Sequence, residues 1–473
     1  MPAGSAQPNV PGRGIVASYS LRFWSLVVLI GAGTGLGGAL LIELLHAVQH
    51  LAWSYRSGDF LDAVKRVSPT HRVLILAGAG LLAGVCGIGL TRLGGARGEG
   101  GGEVSEAIWL RAGRVPLIPS LARAVTAIVL VALGASLGRE AAPQQVGAGL
   151  ASALGEWAGL PAWQRRLLVA SGAGAGMAAV YNVPLGGALF ALEVLLGTLT
   201  LPLVLPALAT TLIATAVAWI ALPDRPTYAI PTYSLSGSLV VWAIVLGPIA
   251  GLVAVGFVRL IAQAHRLRPA GRPVHRVLAP VVVFTSLGAV AIAYPELLGN
   301  GRNVVALGLV GQLGAGLLAV LLVLKPLATA ACLGSGAPGG LFTPTLTVGV
   351  LLGGLLGQAW SQLWPGAPLG AYAVIGGAAV LGAAMQGPLA AVVLLLELAH
   401  HADALMVPIL IAVVEATVVT RLVGAPSIYS ARISAAGAGD GWGGHRESAD
   451  PFADAEAPGD LLPASIRSGD PPA

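Results

Sequence analysis

The chain has 473 residues, of which 56% are hydrophobic and only 10% charged, with a mean hydropathy of +0.82. A soluble domain carries about 25% charged residues, so composition excludes a string of soluble domains and indicates one all-α polytopic membrane protein. The net charge of +5 does not point to nucleic acid, because the basic residues sit in short loops, as the positive-inside bias produces.

Residues 1–20 are rich in Gly and Pro, lack the charged-then-apolar order of a signal peptide and are expected to be disordered. Spans are predicted at about 22–50, 72–92, 118–137, 143–157, 167–180, 184–201, 203–222, 238–262, 276–294, 303–324, 326–335, 344–363, 371–385, 388–400 and 404–421. The membrane domain is therefore placed at 21–432, with halves at about 21–222 and 238–432, and a disordered tail is expected at 433–473. The stretch 259–276 holds Arg259, Arg266, Arg268, Arg272 and Arg276 without an acid, which places it in the cytoplasm. Cys86 and Cys332 lie in apolar runs and give neither a disulfide framework nor metal spacing.

Several spans are too short to cross a bilayer straight. They are interrupted by Gly/Pro clusters at 138–143, 182–187, 334–344 and 386–388. Broken helices at membrane depth persist only where they are buried in protein or line a cavity. The first cluster carries an ionisable pair, Arg139 and Glu140, after the uncharged run Ala124–Leu137. An intramembrane carboxylate costs roughly 3 kcal/mol or more, and so marks a functional site.

An internal repeat is visible. Asn182–Glu193 aligns without gaps to Gln386–Glu397, with Pro184 and Pro388 each nine residues before a Glu. Small-residue runs, Gly172–Val180 and Gly376–Ala384, precede both, and further upstream Gly138–Pro143 pairs with Gly339–Pro344. Matching interrupted helices in two halves suggest a transporter-type repeat with its site at the repeat interface. Helices that begin inside the membrane aim unpaired N–H groups and a positive dipole end at the cavity, which suits a small anion. A carboxylate at such an N-terminus can occupy the anion's seat as a tethered competitor. Alternatively, Glu140 caps a helix or pairs with Arg139. Spacing alone leaves both open.

These residues resemble the CLC chloride channel and chloride/proton exchanger family over about residues 20–432. Gly138-Arg-Glu-Ala-Ala-Pro143 is similar to the family's GREGP signature, Ser335–Pro344 to its SSGAPGGxFxP segment, and Tyr429 falls at the place of its pore tyrosine. The resemblance implies a homodimer in the lipid bilayer of the cell membrane, with two inverted halves and one anion pore per subunit and no cofactor beyond chloride as bound ion. It implies Glu140 as gating glutamate. It also implies an anion site around Arg139, Ala141, Gly340, Leu341 and Phe342, with the Tyr429 hydroxyl as donor. With 44 residues after Tyr429, the paired regulatory domains of many relatives are not expected.

The sequence departs from the family in two places. Glu99 stands where the family's inner-gate serine lies. Val194 stands at the proton-carrying second glutamate of the exchangers, beside Glu193 at the first. Val194 favours a passive, voltage- or pH-gated chloride channel over a chloride/proton antiporter, although Glu193 could serve a modified proton path. The altered segment around Glu99 keeps a fluoride-selective relative open.

Other signals are weaker. Gly33–Gly38 fits GxGxxG without a βαβ context and reads as helix packing. Gly134–Gly138 fits GxSxG and would make Ser136 a hydrolase nucleophile, but no His lies inside the neighbouring spans; the protein is expected not to be an enzyme. Glu397 and His400 have metal-ligand spacing, yet Glu397 reads better as the repeat partner of Glu193. Lys325 is expected either to add positive potential to the pore or to snorkel.

Overall fold

The computed structural model describes residues 19–55, 58–94, 104–269 and 272–434. The described chain is helical. In order it forms α1 (Leu21–Trp53), α2 (Phe60–Arg66), α3 (Pro69–Gly94), α4 (Val104–Leu110), α5 (Leu117–Ala132), α6 (Ala141–Trp157), α7 (Ala162–Tyr181) and α8 (Pro184–Leu189). Helix α8 widens into a π-helical turn over Phe190–Leu196. The order continues with α9 (Leu201–Ala218), α10 (Gly237–Arg266), α11 (Pro273–Val290), α12 (Arg302–Leu309), α13 (Ala315–Gly334) and α14 (Phe342–Leu363). It closes with α15 (Leu369–Met385), α16 (Pro388–Ala399), α17 (Met406–Leu422) and α18 (Ser430–Ser434). Among the described residues, eight helices are long and apolar enough to cross a membrane.

The repeat is built into the backbone. Helices α7 and α15 end on left-handed residues at repeat-related positions, Asn182 (φ 59°) and Gln386 (φ 55°). Both next helices then start on proline, whose missing N–H costs nothing at a helix N-terminus. The packing also repeats. Gly147 of α6 abuts the Gly172 carbonyl of α7, and Gly349 of α14 abuts the Gly376 carbonyl of α15, so a Cβ at any of the four would meet backbone. Small residues at crossings let membrane helices approach this closely.

Some boundaries differ from the sequence reading. The predicted spans 303–324 and 326–335 are divided in the wrong place. The chain turns instead at Gly311 (φ 72°), whose N–H bonds the Gly308 carbonyl at 2.9 Å, and α13 runs through Pro326 without ending. Proline removes one donor but does not stop a helix held by its neighbours. Residues 1–18 and 435–473, where disorder is expected, lie outside the described residues, which begin at Tyr19. Tyr19 stacks on Phe23 with ring centroids 4.3 Å apart, and Ser20 caps α1 by accepting from the Phe23 N–H at 3.2 Å. The segment holding Glu99 lies outside the described residues.

Candidate functional site

After α5 the chain turns back into the molecule at Gly134 (φ 105°), leaving Ala135–Glu140 buried. Helices α6 and α14 then start at matching positions, each reaching a proline as third helical residue, Pro143 and Pro344, five residues after Gly138 or Gly339. Just before these starts the halves join. Gly138 N–H donates to the Gly340 carbonyl and Gly340 N–H to the Gly138 carbonyl, both at 2.8 Å, in an antiparallel bridge.

Glu140 lies against this bridge, 1% exposed. A Cβ on Gly138 or Gly340 would collide with its carboxylate, so glycine is needed there for space. Oε1 accepts the Phe342 N–H at 2.6 Å. Oε2 accepts the Tyr181 hydroxyl at 3.2 Å and lies 3.3 Å from the Thr343 hydroxyl. Glu140 stands at the N-cap of α6 but makes no side-chain cap bond there; its carboxylate caps α14, in the other half. Arg139 does not pair with it either. Its guanidinium lies 4.9 Å from the Tyr181 ring centroid, a cation–π contact. Of the roles open at the sequence level, pairing with Arg139 is therefore absent, while helix capping is present, on α14 rather than α6.

A carboxylate oxygen on a first-turn N–H, at the positive end of the α14 dipole, holds the place a small anion would take. The seat offers no contacting Lys or Arg on Glu140 among the hydrogen bonds described, so it can bind a negative charge without the deep trap a full ion pair makes. Leu341 and Phe342 are each 2% exposed and Gly340 is buried. Ala141, the first residue of α6, is half-buried. Tyr429 is half-buried and packs edge-on against Phe190 at 5.4 Å; the phenol beside the carboxylate is that of Tyr181. Neither Tyr181 nor Thr343 is singled out by sequence reasoning. The available signal for Tyr181 was a lone hydroxyl at the end of an otherwise small and apolar run.

Glu193 and Glu397 form a second, symmetric arrangement. Glu193 accepts the N–H groups of Leu389 (3.2 Å) and Ala390 (2.6 Å) at the start of α16. Glu397 accepts those of Leu185 (3.0 Å) and Gly186 (2.7 Å) at the start of α8. Each half thus caps a helix of the other on the same two donors. Val194 packs towards Gly387, where an added Cβ would press on its side chain.

The remaining candidates fall elsewhere. Lys325 neither snorkels nor points to the site: it is 1% exposed, and its Nζ donates to the carbonyls of Leu297 (3.0 Å) and Gly299 (2.9 Å). Gly299 N–H in turn bonds the Gly134 carbonyl at 3.0 Å, so the buried ammonium fixes the segment that backs the Glu140 loop. The Ser136 hydroxyl is buried without a hydrogen-bond partner, and no base activates it. His400 and His401 are exposed at a helix end, and Glu397 is turned to backbone N–H groups. No cluster of metal-ligand type occurs among the described residues. Gly33 and Gly35 pack α1 against Leu150 and against the Ala214 carbonyl of α9.

Residues 79–421 match the family model of the voltage gated chloride channel. A Ralstonia nicotianae protein named ClcB-like is 34% identical over 412 residues, 84% of this chain and 94% of the relative. The Salmonella typhimurium voltage-gated ClC-type chloride channel ClcB is 31% identical over 416 residues, 85% of this chain and 97% of the relative. Among solved structures, a slow cyanobacterial Cl−/H+ antiporter superposes with a TM-score of 0.75 at 21% identity, covering 89% of this chain and 99% of that one. A CLC-type fluoride/proton antiporter gives 0.67 at 21% identity, covering 87% and 97%. The structural likeness concerns the fold.

Proposed function

Because the chain belongs to the voltage-gated chloride channel family of integral membrane anion transporters, we propose that it passes chloride and similar small anions across the cell membrane passively, along a path that Glu140 opens and closes. The observation that carries this reading is the Glu140 carboxylate on the Phe342 N–H at 2.6 Å. It sits where a helix N-terminus would hold an anion, on a side chain that can rotate away. An arriving anion, or a proton that neutralises the carboxylate, weakens its claim to the seat. Flux therefore rises with anion concentration and as pH falls. The functional unit is read as a homodimer with one path per subunit.

Two features support uncoupled transport. Val194 cannot carry a proton, and both Glu193 oxygens are engaged by the start of α16. The second reading is a chloride/proton or fluoride/proton antiporter, as the two structural neighbours are described. Reversal potentials of the reconstituted protein under a pH gradient separate them. Passive conduction gives a potential set by the chloride gradient alone. A potential that moves with the proton gradient at fixed stoichiometry establishes exchange.

A further inference from the structure

We propose that the hydroxyls of Tyr181 and Thr343 form a latch that holds the Glu140 carboxylate in preference to a halide, so that these two positioning residues set how readily the path opens. The proposal rests on the gate reading of Glu140 and adds the residues that weight the competition.

Three oxygens meet here: Tyr181 to Thr343 at 2.7 Å, Tyr181 to Glu140 Oε2 at 3.2 Å and Thr343 to the same oxygen at 3.3 Å. Two hydroxyls supply two protons. One proton joins the hydroxyls, and the other reaches Oε2, from Tyr181 or from Thr343. Either arrangement gives the carboxylate one charge-assisted bond. Each hydroxyl also keeps lone pairs, so a protonated Glu140 could donate to the same pair without moving a heavy atom.

The pair is fixed in place. Tyr181 is 2% exposed. Its ring lies between the Arg139 guanidinium at 4.9 Å and the Phe342 ring at 5.7 Å, and its carbonyl accepts the Thr227 hydroxyl at 3.0 Å. Thr343 is fully buried in the first turn of α14.

Geometry gives the selectivity. A carboxylate has two oxygens, and here one takes the backbone N–H while the other takes the hydroxyl pair. A halide is a single centre and cannot reproduce both contacts at these positions. The Phe342 N–H serves any anion, whereas the hydroxyl pair favours the tethered carboxylate.

The test is chloride flux from proteoliposomes for Y181F, T343V, the two combined, and T343S, each with Glu140 present and in an E140A background. With Glu140 present, Y181F and T343V combined should raise flux about tenfold, the effect of one hydrogen bond to a charged group, and each alone by less, because the remaining hydroxyl still reaches Oε2. T343S, which keeps the hydroxyl, should match the parent. In E140A, already raised, none of these should matter. The latch is overturned if Y181F and T343V combined leave flux unchanged with Glu140 present. It is equally overturned if they shift flux by the same factor in E140A. If E140A itself fails to raise flux, the gate reading falls, and the latch with it.

Discussion

Three glutamates in this chain accept N–H bonds from the start of a helix in the opposite half, and they do so in two different settings. Glu193 and Glu397 are half-buried at the ends of α8 and α16, and each uses both oxygens on two successive backbone donors. Glu140 is buried at the bridge between the halves, with the Phe342 N–H at one oxygen and hydroxyls at the other. The peripheral caps tie the repeats together through backbone donors alone. The central cap is the carboxylate that the proposed reading sets in competition with an unattached anion. On that reading, the same chemistry gives a staple in one setting and a replaceable plug in the other.

The comparison can be broken at the seat itself. G340A puts a methyl group where the Glu140 carboxylate lies. It should cut chloride flux at least about tenfold, and by the same factor in E140A, because anion and carboxylate share the space; each tenfold corresponds to about 1.4 kcal/mol. Flux kept by G340A in the E140A background would separate the anion path from the carboxylate's place.

A smaller effect is expected from E140Q. The neutral amide loses the charge-assisted part of the bond to Phe342, so flux should rise on the order of tenfold. Its dependence on pH should flatten. Lowered flux, or an unchanged pH profile in radiotracer uptake, would count against the tethered-competitor role.

The peripheral caps should respond in stability. E193Q and E397Q are each expected to cost about 1 kcal/mol, in the range of helix-cap and dipole losses, seen as a lower thermal midpoint in detergent. Flux should stay within about twofold of the parent. If E193Q instead altered proton movement while E397Q did not, the two would not be equivalent, and Glu193 would belong to a proton path.

The positions where helices break were legible in the sequence because glycine and proline act locally. Gly138–Pro143, Gly339–Pro344 and the αL residues before Pro184 and Pro388 all lie where composition put them. The pairing of Glu193 with Glu397 was legible as a repeat, but not their partners. Each bond spans about two hundred residues, across the two halves, and nothing local encodes it. Tyr181 was hidden for the same reason: its hydroxyl matters only once α14 arrives from the other half. Pro326 misled because a proline's missing donor is tolerated inside a packed membrane helix. The turn at Gly311 was overlooked because it lies in an otherwise apolar stretch.

Competition between Glu140 and the anion for the start of α14 is tested most directly by equilibrium chloride binding to the purified protein, measured by isothermal titration calorimetry in wild type and E140A. If the carboxylate holds the anion's seat, E140A binds chloride about tenfold more tightly, and its affinity no longer depends on pH. Equal affinity in the two proteins, with the same pH dependence, would mean that the Glu140 carboxylate and the anion do not share a site.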